Sequence, residues 1–255
     1  MKVGKNVKIG DYTKIADDVQ LGNNVVIGNR VTIYPNTTIE DGGRIMDGAI
    51  IGRLTYRTSA VIRETTSSYQ PLSIGAHSVI GCNVVLYTGV RLGRETLLAD
   101  GVSIREDCVL GDEVLLGRYV NLNYNAIVGK RTRIMDLTHI TGNAKIGEDC
   151  FISMLVGTSN DNDVYLRRFG LHDHDEDFIG PNIGHYVVIG VGASINPGIN
   201  IGDGALIGTG AVVTKDISAW TIAMGTPARP IKPIEDAWRE KILSLAESRG
   251  QQLSE

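Results

Sequence analysis

Aromatic residues are scarce in this 255-residue chain, at 5 % with three Phe, too few for the core of a conventional layered domain. No stretch approaches the roughly 18 consecutive apolar residues of a membrane-spanning helix. The opening MKVGKNVKIG has none of the apolar run of a secretory signal. The net charge is −4 and no long basic run occurs, which argues against a nucleic-acid partner. The three cysteines, Cys82, Cys108 and Cys150, are an odd number without metal-ligand spacing. A reduced, cytoplasmic setting is the expectation, with no metal.

Glycine, by contrast, is abundant at 31 residues. Many tight corners around a narrow aliphatic core would need it. Aliphatic residues recur every six positions from Val3 to Ile51, again from Ile74 to Ile152, and again from Ile183 to Val213. That makes twenty-nine hexads with no polar residue at the marked position. Two positions earlier the residue is small or β-branched, as at Val84, Val102, Cys108 and Val114. Each hexad therefore reads as a short strand with two inward side chains, then a corner. Cys108 and Cys150 fall at the small inward site, as packing residues.

Three hexads per coil would stack residue i on residue i+18, about 4.8 Å away. The result is a prism on the order of 45 Å long, with nine or ten coils. The expected fold is an all-β parallel β-helix over residues 1–232, interrupted by insertions at 53–72 and 153–182. Residues 233–255 form a C-terminal helix and tail. Ile234, Trp238, Ile242 and Leu245 have helical spacing and Gly250 a stop signal. Such a helix is expected to cap the open end of the column.

Stacking also locates a candidate site. On one face of the central run, Ile74, Leu92, Leu110, Val128 and Ile146 are each followed by Gly. On another, Leu86, Ile104, Leu122 and Ile140 are followed by Tyr87, Arg105, Asn123 and Thr141. The outward residues preceding them are Val85, Ser103, Asn121 and His139. Two polar columns thus share one wall, and both insertions abut it. Long insertions in a solenoid are usually functional or disordered.

His139 is the candidate proton acceptor on that wall. Glu106 and Asn123 are further candidate catalytic groups, and Asn160 of the second insertion completes the set. By the same register Glu106 stacks with Tyr124, and position 142 with Asn160. Tyr87, Asp100, Arg105, Asn121, Tyr124 and Asn162 are candidate substrate contacts, although Asp at a corner often serves only the turn. The acidic, His-containing run LHDHDEDF at 171–178 reads as a solvated loop rather than a metal site.

The hexads resemble the hexapeptide-repeat acyltransferases, and the closing stretch GAVVTKDISAWTIAMGTPARPIKPI at 210–234 resembles that family's last coil and exit segment. The left hand of the helix is implied by this resemblance, as is a homotrimer with coenzyme A lying between prisms. Lys215, Arg229 and Lys232 are then candidates for the coenzyme's phosphates. Gly192, Ala193, Gly210 and Ala211 are candidates for the slim pantetheine arm. ADGVSIRED at 99–107, GRYVNLNYNAIVG at 117–129 and TSNDN at 158–162 are most similar to N-acyltransferases of nucleotide-linked, dTDP-type amino-deoxy sugars. In that subgroup acidic or His side chains are expected at the corners of such coils, where Asn123 stands here. The resemblance implies acetyl-coenzyme A as co-substrate and a nucleotide-linked amino sugar as acceptor. An O-acetyltransferase of a sugar or other small hydroxyl acceptor, and a non-catalytic scaffold, are the alternatives.

Overall fold

The computed structural model describes residues 1–58, 65, 67–171 and 178–250. Within them the chain winds a left-handed parallel β-helix of three sheets. The first and third faces hold ten strands each and the second holds twelve. Most strands are two residues long, because a corner follows every hexad. The register is the expected one: Ser103 pairs with Asn121, and Asn121 with His139.

Both inward positions of each hexad are sealed. Ile80, Leu86, Ile104 and Leu122 are fully buried, as are the small residues Val84, Val102 and Val120. Burying one such aliphatic stabilises the column by about 1.5–3 kcal/mol. Cys108 and Cys150 lie in this column, and burial pushes both thiols up to about 12. Corner carboxylates tie neighbouring coils together. Asp41 accepts from the backbone N–H of Asn23, Asp136 from that of Arg118, and Asp203 from that of His185.

Two features differ from the sequence expectation. The hexad phase continues past Ile152, because Gly157–Thr158 forms a strand against His139 and Ser194. Thr158 takes an inward position and donates no aliphatic signal; its hydroxyl instead accepts from the Thr141 backbone N–H at 2.8 Å. The second excursion therefore leaves the coil after Thr158. The C-terminal helix α2 (Asp236–Ser248) does not cap the column. It runs back along the outside of the edge between the first and second faces. Trp220, Ile222 and Ile234 pack with Ile242 and Leu243 at its middle, and Arg249 reaches Asp149 past its end. The end of the column is closed instead by the turn after the Thr221–Met224 strand, where the Ala228 N–H donates to Val212 and Ala228 is buried. No helix among the described residues is long and apolar enough to cross a membrane.

Candidate active site

Both excursions leave the coil at the edge between the third and first faces, one after Arg53 and one after Thr158. The third face therefore has a built-up margin on one side only. Its outward column runs Val85, Ser103, Asn121, His139, Gly157, Ser194.

His139 is the only titratable side chain of that run. Its ring is exposed on one side and partly covered by the coil on the other, and that partial burial lowers its pKa, so the ring stays neutral at neutral pH. Asn123 Nδ2 lies 3.5 Å from His139 Nε2, a long contact that leaves the ring able to take a proton. No carboxylate orients the ring among the described residues. A Cβ added at Gly157, the next residue of the column, would meet nothing within 4 Å. Open space thus adjoins the imidazole toward the C-terminal coils.

The structure brings His139, Asn121 and Asn123 together, and it forms two further clusters from the other candidates. At the corner, Tyr124 lays its ring over Gly142, where any Cβ would come within 2.5 Å of the ring. Asn160 Nδ2 donates to the Tyr124 hydroxyl and to the Gly142 carbonyl, both at 3.2 Å. This fixes the root of the second excursion, together with the Ile179 N–H bond to the Asn160 carbonyl. Beyond it, helix α1 (Val164–Arg168) carries Arg167, which pairs with Asp161 and lies over Phe178. Asn162 is exposed on this arm.

The third cluster lies toward the N-terminal coils. Glu106 is only 2 % exposed and is bound by Arg105 through Nε at 3.0 Å and Nη2 at 3.2 Å. Thr55 of the first excursion donates to Oε2, the oxygen that Arg105 Nε also uses, at 3.0 Å. Tyr87 is flanked by two guanidinium groups, Arg53 at 5.0 Å and Arg105 at 5.3 Å from the ring centroid. Tyr34 and Tyr69 stack beyond them, 5.8 Å apart. Sequence reasoning missed Arg53, Thr55 and the Tyr34–Tyr69 pair. Arg53 opposes Tyr87 only because an irregularity between Leu86 and Tyr87 shifts the register. Asp100 sits at the opposite edge, where its carboxylate accepts from the Cys82 N–H at 2.8 Å and serves the corner.

The expected coenzyme residues divide. Ala193 and Ala211 are fully buried inside the column and their backbone groups are bonded, so neither can line a ligand. Each stands two residues before an inward aliphatic, Ile195 or Val213, which is the small inward site. Gly192 and Gly210 follow Leu137 and Leu155 along the second–third edge, both open and both at positive φ. Thr226 donates to the Gly210 carbonyl, so the turn leading to Arg229 continues this line. Lys215 lies apart, two residues past the Val212–Val213 strand toward the other edge. Lys232 lies on the Arg229–Pro233 strand, 3.7 Å from Glu235. Among the described residues no group of His, Cys, Asp or Glu could hold a metal ion. His172 and His174 of the LHDHDEDF run fall outside the described residues.

Comparison with known proteins recovers the repeat. The family model "Bacterial transferase hexapeptide (six repeats)" matches residues 1–35, and "Hexapeptide repeat of succinyl-transferase" matches 71–116 and 182–215. A Schizosaccharomyces pombe protein, named as a suspected acetyltransferase, is 54 % identical over 55 residues. That match spans 22 % of this chain and 27 % of the yeast protein, about a quarter of its length. Among solved structures, UDP-N-acetylglucosamine acyltransferase from Campylobacter jejuni aligns over 97 % of this chain and 79 % of its own, at 20 % identity and a TM-score of 0.47. Soybean serine acetyltransferase aligns over 42 % of this chain and 40 % of its own, at 31 % identity and a TM-score of 0.34.

Proposed function

We propose that this chain, whose coils carry the hexapeptide repeat of bacterial transferases, is a coenzyme A-dependent N-acyltransferase. Its acceptor is the amino group of a nucleotide-linked amino-deoxy sugar, of the dTDP type, and its donor is acetyl-coenzyme A. The observation that carries this reading is the order of groups along the third face. His139 stands in the middle. Toward the N-terminal coils come Asn121 and Asn123, then Arg105 about 10 Å from His139, then Tyr87 and Arg53 at about 14–19 Å. Amide groups suit sugar hydroxyls, guanidinium groups suit a diphosphate, and stacked tyrosines suit a base. Toward the C-terminal coils come Gly157, Gly192 and Gly210, with no side chains to obstruct a slim chain, and then Arg229 at the exit.

On this reading the two substrates meet at His139. The neutral sugar amine attacks the thioester carbonyl carbon, and the new C–N bond forms as the carbonyl oxygen takes up negative charge. Collapse breaks the C–S bond. The coenzyme leaves as thiolate and takes the amine's proton, directly or by way of His139. Asn123 Nδ2 is suited to donate to the oxyanion. An amine needs little help from a base, whereas a hydroxyl needs a dedicated and oriented one. His139 has no orienting carboxylate among the described residues, which favours N- over O-acylation.

A single prism is convex and its third face is walled on one side only. A homotrimer, in which a neighbouring prism closes the other side, fits the exposed apolar edge beside His139, where Leu137 and Leu155 are 53 % and 52 % exposed. The test is a panel of nucleotide-linked amino sugars and their hydroxyl counterparts with acetyl-coenzyme A, read by mass spectrometry. The expected product is an amide. An ester product on a hydroxyl acceptor, with no amide formed, would replace this reading with the O-acetyltransferase.

A further inference from the structure

Arg105 offers one guanidinium edge to Glu106, formed by Nε and Nη2. The plane stands over Tyr87. The second edge, formed by Nη1 and Nη2, has no protein partner among the described residues, and the side chain keeps 29 % of its exposure. Glu106 itself is sealed at 2 % exposure. A buried carboxylate is tolerated only when paired and hydrogen-bonded, and here a cation and a hydroxyl from 51 residues upstream serve it. Such a carboxylate is poorly placed to take a proton from a substrate. It is well placed to stop a flexible arginine from turning.

We propose that Glu106 is a positioning residue: it aims the free edge of Arg105 at the anionic part of the acceptor, and Thr55 makes that aim depend on the first excursion. This deepens the reading given above and rests on it. A planar fork held in advance loses less conformational freedom when it meets a phosphate oxygen pair than one that must be collected from solution. The opposing Arg53, across the Tyr87 ring, supplies the second cation. Thr55 Oγ1 contacts the same Oε2 that Arg105 Nε uses, so the excursion and the arginine are joined through one oxygen. The seating of Thr55 and the affinity for the anion are therefore coupled.

The test uses the full chain and five proteins: wild type, Glu106→Gln, Thr55→Val, Arg105→Ala and the double variant of Glu106→Gln with Arg105→Ala. Thymidine diphosphate and thymidine are titrated calorimetrically, and both KM values and kcat are measured on the acceptor found in the panel. Glu106→Gln should weaken thymidine diphosphate and raise the acceptor KM by about tenfold. It should leave thymidine binding, the acyl-coenzyme A KM and kcat within about twofold. Thr55→Val should show the same pattern at about threefold. In the double variant with Arg105→Ala, the Glu106→Gln effect should vanish. If Glu106→Gln binds thymidine diphosphate like wild type while Arg105→Ala does not, the positioning role is wrong and the nucleotide reading stands. If wild type itself does not bind thymidine diphosphate, the nucleotide reading falls with it. A fall in kcat alone would return Glu106 to a catalytic role and overturn the proposal. Should Glu106→Gln fail to fold, Thr55→Val decides: an unchanged diphosphate affinity there overturns it.

Discussion

At the scale of single residues, His139 is the side chain whose removal should be felt most in the chemical step. If it accepts the amine's proton, His139→Ala lowers kcat by about 10²–10⁴-fold. If it only orients the sugar, the loss is smaller and falls mainly on KM. Burial lowers its pKa, so the neutral form persists into mild acid. The acid limb of kcat/KM should therefore lie below the ordinary histidine value, and a limb above it would show that another group is titrating. The same physics separates the cysteines. Cys108 and Cys150 sit inside the column with thiols pushed up to about 12. Mass spectrometry after brief treatment of the folded protein with a thiol-alkylating reagent should find both unmodified. Modification at either, without unfolding, would mean that the column opens.

At the scale of elements, the clearest case is α2, which lies along the first–second edge instead of across the column's end. Asp149 anchors it. Burial alone would raise that carboxyl, but Arg131 and Arg249 outweigh the burial and hold it below the usual range. A carboxylate held low in the folded state stabilises above its unfolded pKa, and that contribution is lost as pH falls through the lower folded value. Asp149→Ala leaves Arg131 partly buried and short of a partner, and should cost about 3 kcal/mol in denaturant unfolding. A cost under about 0.5 kcal/mol would show that the pair contributes little and that Trp220 and Ile234 hold the helix.

The same element shows where sequence ran out. Helical spacing from Ile234 to Leu245 gives the buried stripe, but its docking site, Trp220 and Asp149, lies outside the segment. The coils were legible because each hexad repeats one aliphatic; the strand Gly157–Thr158 was not, because Thr158 bonds inward where an aliphatic would signal. Ala193 and Ala211 were misread although the rule that put Cys108 inside applies to them equally. The column of His139 and Asn121 followed from the register alone, and Asn123 sits beside it. Arg53 did not, since a register shift brings it to Tyr87.

At the scale of the molecule, the proposed activity requires that the third face be the working face and that other copies complete it. Light scattering should find a trimer, and a stable monomer with full activity would remove the need for a partner. Two groups of variants separate the faces. His139→Ala, Asn123→Ala and Arg105→Ala test the third. Lys145→Ala and Asn182→Ala test a groove of about 560 Å³ on the first face, beyond the second excursion. If only the second group loses activity, the fold stands and the site has been put on the wrong face. The most direct measurement is incubation of the purified protein with acetyl-coenzyme A and a dTDP-linked amino-deoxy sugar, followed by mass spectrometry of the sugar and assay of the released thiol. The proposed activity gives one acetyl group gained on the sugar nitrogen for each thiol released, and loss of both with Arg105→Ala at low sugar concentration. Thiol release at the solvent rate, with every amino sugar of the panel unchanged, would contradict it.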